Sequence, residues 1–131
     1  MSKKPIPTEI NLHQKDRQLE ITFDDGETFT MSAEYLRVHS PSAEVQGHGP
    51  GQGVLQVGKE NVNIVGIEPV GNYAILLRFD DGHDTGIYAW DTLYDLGKNQ
   101  EAYWQRYLEQ LEAAGHKRKE PKPWIPPVNL G

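Results

Sequence analysis

Residues 19–32 read LEITFDDGETFTMS, and the two-residue period of this stretch decides the fold class. Leu19, Ile21 and Phe23 alternate with polar residues, Asp24-Asp25-Gly26 supplies a tight turn, and Phe29 and Met31 resume the alternation beyond it. Successive strand side chains point to opposite faces, so the pattern describes two antiparallel strands that each bury one face. Upstream, Ile10 and Leu12 carry the same period and are set apart from Leu19 by the polar stretch Gln14 to Arg17, which completes a three-strand meander. Downstream, Ser32 is placed to cap a short helix through Ala33, Glu34, Tyr35 and Leu36, because its hydroxyl can accept a free first-turn amide. That helix stops before Ser40-Pro41.

The turn recurs. Phe23-Asp24-Asp25-Gly26 returns as Phe79-Asp80-Asp81-Gly82, flanked by apolar runs at Val62, Ile64 and Ile67, at Tyr73 to Phe79, and at His83 to Tyr88. Gly71-Asn72 supplies the other turn, so a second meander follows. Both copies run from strand through turn and strand to a short helix, as an internal repeat would, although Asp-Gly is also simply a good hairpin turn. The longest helix is expected over Gln100 to Ala114, where Tyr103, Trp104, Tyr107, Leu108 and Leu111 fall at helical spacing and read as core packing. These elements define an α+β domain of two small antiparallel sheets (meanders) with short helices and a longer carboxy-terminal helix.

Composition bounds the function. A chain of 131 residues, 37% hydrophobic and 24% charged, is sized for one soluble domain. No apolar run could span a bilayer, and the start MSKKPIPTEI lacks the apolar core of a signal peptide, which places the protein in the cytoplasm without a membrane partner. A net charge of -6 repels a phosphate backbone and argues against nucleic acid. The absence of cysteine excludes disulfides, thiolate zinc sites, cysteine-held clusters and cysteine nucleophiles.

From Val38 to Gly53 the chain reads VHSPSAEVQGHGPGQG, with no apolar period, and so forms a long loop of the kind that often carries a site. His39 and His48 lie in it and His83 follows the second Asp-Gly turn, so the three imidazoles, aided by Glu44, Asp81 or Asp84, are candidate ligands for zinc or ferrous iron. Other chemistry finds little support. Ser40 or Ser42 beside a histidine lacks a nucleophile-elbow pattern, and GHGPGQG lacks the Lys-Ser or Lys-Thr of a phosphate loop. The paired aspartates of the turns suit local backbone hydrogen bonds. His83-Asp84 is adjacent, where an iron facial triad needs a His-x-Asp or His-x-Glu spacing.

The run Leu36 to Val45, followed by Phe79 to Tyr88, resembles the gamma-butyrobetaine hydroxylase-like amino-terminal domain, over about residues 6 to 110. In hydroxylases of that family the domain precedes a 2-oxoglutarate and iron dioxygenase domain, which has no counterpart in this sequence, and holds zinc through three cysteines and a histidine. The family pattern Leu-Arg, two residues, Cys-Pro-Cys-x-x-Cys is met here by Leu36-Arg37 with Ser40, Pro41, Ser42 and Val45, while His83 falls on the histidine position. The resemblance therefore implies the family's fold without its zinc. Short bacterial members, classed as a domain of unknown function, share the Ser-Pro-Ser version, and a related domain appended to iron-sulfur P-loop ATPases implies an accessory role in metallocluster delivery.

The resulting expectation is a non-catalytic domain over residues 1–115 with a flexible proline-rich tail over 116–131. It engages a protein partner or small ligand through Arg37, Ser40, Ser42, Glu44, His48 and Trp90. The alternative is a zinc- or iron-binding protein using His39, His48 and His83.

Overall fold

Alternating apolar residues close into sheets here because each strand has one side to bury. In the computed structural model, which describes residues 4–41 and 55–125, strands β1 (Pro7–His13), β2 (Gln18–Phe23) and β3 (Thr28–Ser32) form one antiparallel sheet in that order. The register sets Leu12 opposite Leu19 and Ile21 opposite Phe29, so the apolar face is continuous across the sheet. A short 3-10 turn, Gln14–Asp16, joins β1 to β2. Helix α1 (Ala33–Val38) follows β3 directly, and the Ser32 hydroxyl accepts the Tyr35 amide at 3.0 Å, the expected cap.

The second half repeats this plan with β4 (Ile64–Val70), β5 (Ala74–Phe79) and β6 (Gly86–Ala89) in a second antiparallel sheet. The last strand starts at Gly86 rather than at His83, because residues 80–85 form the turn. Two helices complete the order, α2 (Trp90–Lys98) and α3 (Gln100–Ala113). The period read in the sequence marks α3 and leaves α2 undelimited.

Neither sheet is large enough to stand alone, and the two share one core. Leu19, Ile21, Phe23 and Met31 from the first meet Ile64, Ile75, Leu77, Phe79 and Tyr88 from the second, with Tyr35, Leu36, Leu93 and Leu96 between them. Buried hydroxyls bind helix carbonyls across this core: Tyr35 donates to the Leu96 carbonyl at 2.6 Å and Tyr88 to the Leu36 carbonyl at 2.5 Å. Gly97 is required where α2 crosses the first sheet, since a Cβ there would fall into the Phe29 ring. Asn63, fully buried, locks the halves together. Its amide donates to the Gln14 carbonyl at 2.9 Å while the Gln14 side chain donates to the Ile64 carbonyl at 3.1 Å. Tyr107 and Leu111 of α3 are buried as the stripe predicts, with Tyr103 and Trp104 packed at the core's margin.

Candidate functional site

The end of α1 and the β5–β6 hairpin meet around one hydrogen bond. Ser40, with no exposed surface, places its Oγ 2.8 Å from His83 Nε2. Gly86 makes this approach possible. It sits opposite Leu77 in the ladder, and a Cβ at this position would come 2.8 Å from Ser40 Oγ and 3.1 Å from the Tyr88 ring. The sequence places a glycine at the strand position where a second chain segment must come closest.

Beside this pair lies an ionic cluster. Asp81 Oδ1 accepts the His83 amide at 3.1 Å, which shapes the turn, while Oδ2 accepts from Arg37 Nε at 2.8 Å and Lys59 Nζ at 2.6 Å. Burial disfavours the Asp81 charge, but the Lys59 hydrogen bond, the His83 amide and Arg37 outweigh it and hold its carboxyl down at about 2. Desolvation first, and then the Arg37 charge, lower the affinity of His83 for a proton. Arg37 is 7% exposed, and its Nη1 is buried without an acceptor among the described residues.

The other expected residues scatter. His39 lies over the α1–α3 contact, its ring 4.7 Å from Tyr35 and stacked 6.1 Å from Tyr103. Its Nδ1 is 2.8 Å from the Tyr35 carbonyl, which can only accept, so Nδ1 carries the proton of the neutral ring. Desolvation lowers its pKa. Trp90 opens α2, where its indole donates to the Asn72 carbonyl at 2.8 Å. That is the β4–β5 end of β5, and His83 follows the other end, roughly 17 Å away along a strand of this length. Ser42, Glu44 and His48 lie outside the described residues.

Among the described residues no group of three histidine or acidic side chains is arranged to hold a metal ion. The family's zinc does not fit the donors present, because a serine hydroxyl engaged with His83 stands where a thiolate would be needed. Lys59 was not legible as a participant. It precedes β4 without a motif, and only the fold brings it to Asp81.

Two like meanders fused round one core, with a buried serine–histidine link from the first to the second, define a class of small α+β domain. The chain belongs to the gamma-butyrobetaine hydroxylase-like, N-terminal family, whose model matches residues 10–94. Two proteins solved in solution by NMR share 52% and 45% of its sequence. Each match covers 98% of this chain, with 96% and 100% of the other and TM-scores of 0.79 and 0.77. A crystal structure at 1.93 Å of a protein with unknown function from Acidithiobacillus ferrooxidans, of the DUF971 family, is 37% identical over 72% of this chain and 92% of that one, with a TM-score of 0.59. No curated protein matches. No helix of the described residues is long and apolar enough to cross a membrane.

Proposed function

We propose that the chain is a non-catalytic cytoplasmic binding module that engages a protein partner or small ligand through the segment 38–53 and the His83 hairpin. The observation that carries this reading is the Ser40–His83 hydrogen bond, which fastens the start of that segment to the second hairpin. A fixed base of this kind lets a surface loop present one shape, and so lowers the ordering cost of binding. The Arg37–Asp81–Lys59 cluster lends charge beside it. The non-catalytic part is supported by burial: a hydroxyl with no exposed surface is out of reach of a substrate, whatever its distance from an imidazole.

His83→Ala removes the link together with the ring's contact with Phe79, 6.1 Å between centroids. Amide shifts across residues 38–53 are expected to move in that variant, and a partner captured by the wild-type protein is expected to be lost. Unchanged shifts together with unchanged capture would sink the reading. The metal-handling alternative has less support, since His39 Nδ1 and His83 Nε2 are each already engaged. It predicts about one zinc or iron per chain after re-equilibration, lost on mutating His39, His48 or His83.

A further inference from the structure

A groove of about 660 Å³ lies away from the Ser40–His83 pair, between the 3-10 turn, the start of α1, the α2–α3 junction and the segment carrying Arg118 and Pro121. Its volume is that of a small-molecule site. Of the charges on its walls, three are already neutralised: Arg118 chelates the buried Glu34 carboxylate through Nε and Nη2, and Lys98 pairs with Glu27 at 3.0 Å. Asp16 and Glu101 are exposed to water.

Two wall residues carry charges with no partner among the described residues. Glu60 is 9% exposed, yet its carboxylate makes no hydrogen bond or ion pair among the described residues and acts on Arg118 only through its field. Arg17 is half-buried with its Nε shut off from solvent, and its guanidinium has no acceptor among the described residues. The buried Arg17 Nε, left without an acceptor, opposes folding unless something else supplies its partner. Arg17 is also the one described non-glycine residue with positive φ, at 53°, whereas the matching hairpin of the second half puts Gly71 at φ 54°. An arginine thus stands where the backbone favours glycine.

We propose that this groove binds a small zwitterion of the amino-acid class, its ammonium or guanidinium group on Glu60 and its carboxylate on Arg17. The stem would lie along Val62 and Pro121, since Arg118 already covers Trp104 at 5.4 Å from the ring centre. The two groups sit on different elements, so a ligand must carry both charges to satisfy both.

The test is amide-shift titration of the full chain with each proteinogenic amino acid at low millimolar concentration, with glutarate and agmatine as controls that carry charge of one sign only. Saturable shifts at Arg17, Glu60 and the Trp104 indole are expected with at least one zwitterion, and weaker binding with both controls. Two variants separate ligand contact from folding. Arg17→Gly keeps the backbone bonds of Arg17 to Gln14 and Ala33 and relieves the left-handed strain, so its melting temperature should hold or rise. Glu60→Gln removes an unpaired charge and should also fold. Each is expected to weaken binding about tenfold or more, as loss of a charge-assisted contact does. No saturable shift with any amino acid, shifts unaffected by both substitutions, or shifts centred on residues 38–41 and 81–86 would each overturn the proposal. The first two outcomes leave the Ser40–His83 reading untouched, and the third would favour it.

Discussion

At the first hairpin Gly26 takes φ 89°, Asp25 Oδ1 accepts the Glu27 amide at 3.0 Å, and Asp24 pairs with the backbone of Ile6 in both directions. At the second, Gly82 takes φ 92°, Asp81 Oδ1 accepts the His83 amide at 3.1 Å, and Asp80 pairs with the backbone of Asn63 in the same two ways. The difference begins at the outer carboxylate oxygen of the second aspartate. Asp25 Oδ2 meets the neutral Tyr94 hydroxyl at 2.6 Å, which is the main cause of its lowered pKa. Asp81 Oδ2 meets two cations. One turn backbone therefore serves two ends. In the first half it seats α2 on the sheet, and in the second it gathers charge beside a buried serine and histidine.

The largest expected effect that tests this contrast is the loss of the second carboxylate. Asp81→Ala strands a buried arginine and should destabilise by about 2 kcal/mol in urea unfolding, after discounting for the partial exposure of the pair. Asp25→Ala should lose clearly less, and equal losses would break the comparison. Next comes Gly86→Ala, expected to cost about 1–2 kcal/mol by overpacking against Ser40 and to shift the His83 ring signals. The double variant Gly86→Ala with Ser40→Ala should recover part of that loss, and strict additivity would deny the contact. Gly26→Ala and Gly82→Ala should cost the same as each other, about 1 kcal/mol, because both positions need positive φ and neither added methyl meets an atom.

The smallest effect is on pH. Asp81 is held at about 2, below the ordinary carboxylate value of about 3.9, so its contribution is fully present above that value and is lost as pH falls through about 2. Wild type minus Asp81→Asn, followed by unfolding between neutral and strongly acid pH, should shrink by about 1 kcal/mol over that window. A difference that stays flat would mean that the two cations do not hold the charge.

Local signals made most of the fold legible. Period-2 runs and Asp-Gly turns place both meanders, Ser32 marks the start of α1, and the aromatic stripe gives α3, because each depends on neighbours within a few residues. Helix α2 is harder to see, since Gly97 interrupts its pattern for a reason held by Phe29 in the other half. The site was legible only where a pattern crosses the chain, as with Ser40 and His83. Lys59, Glu60 and the Glu34–Arg118 pair depend on contacts between distant segments and leave no local mark. Trp90, expected with the partner-binding residues, lies at the β4–β5 end of the second sheet, because strand direction carries it away from His83.

A molecule made of two like hairpins invites mistaken pairing, in which a half greets its own copy from another chain. The Gln14–Asn63 exchange answers this by being lopsided. It needs a glutamine from the first half and a buried amide from the second, and two first halves would bring no Asn63 to the seam. Any other alignment would leave the amide nitrogen in apolar surroundings without an acceptor, since only the oxygen bonds locally, to the Ile64 amide. The asparagine thus acts as a password between the halves, and what it secures is the identity of the neighbour more than the strength of the join.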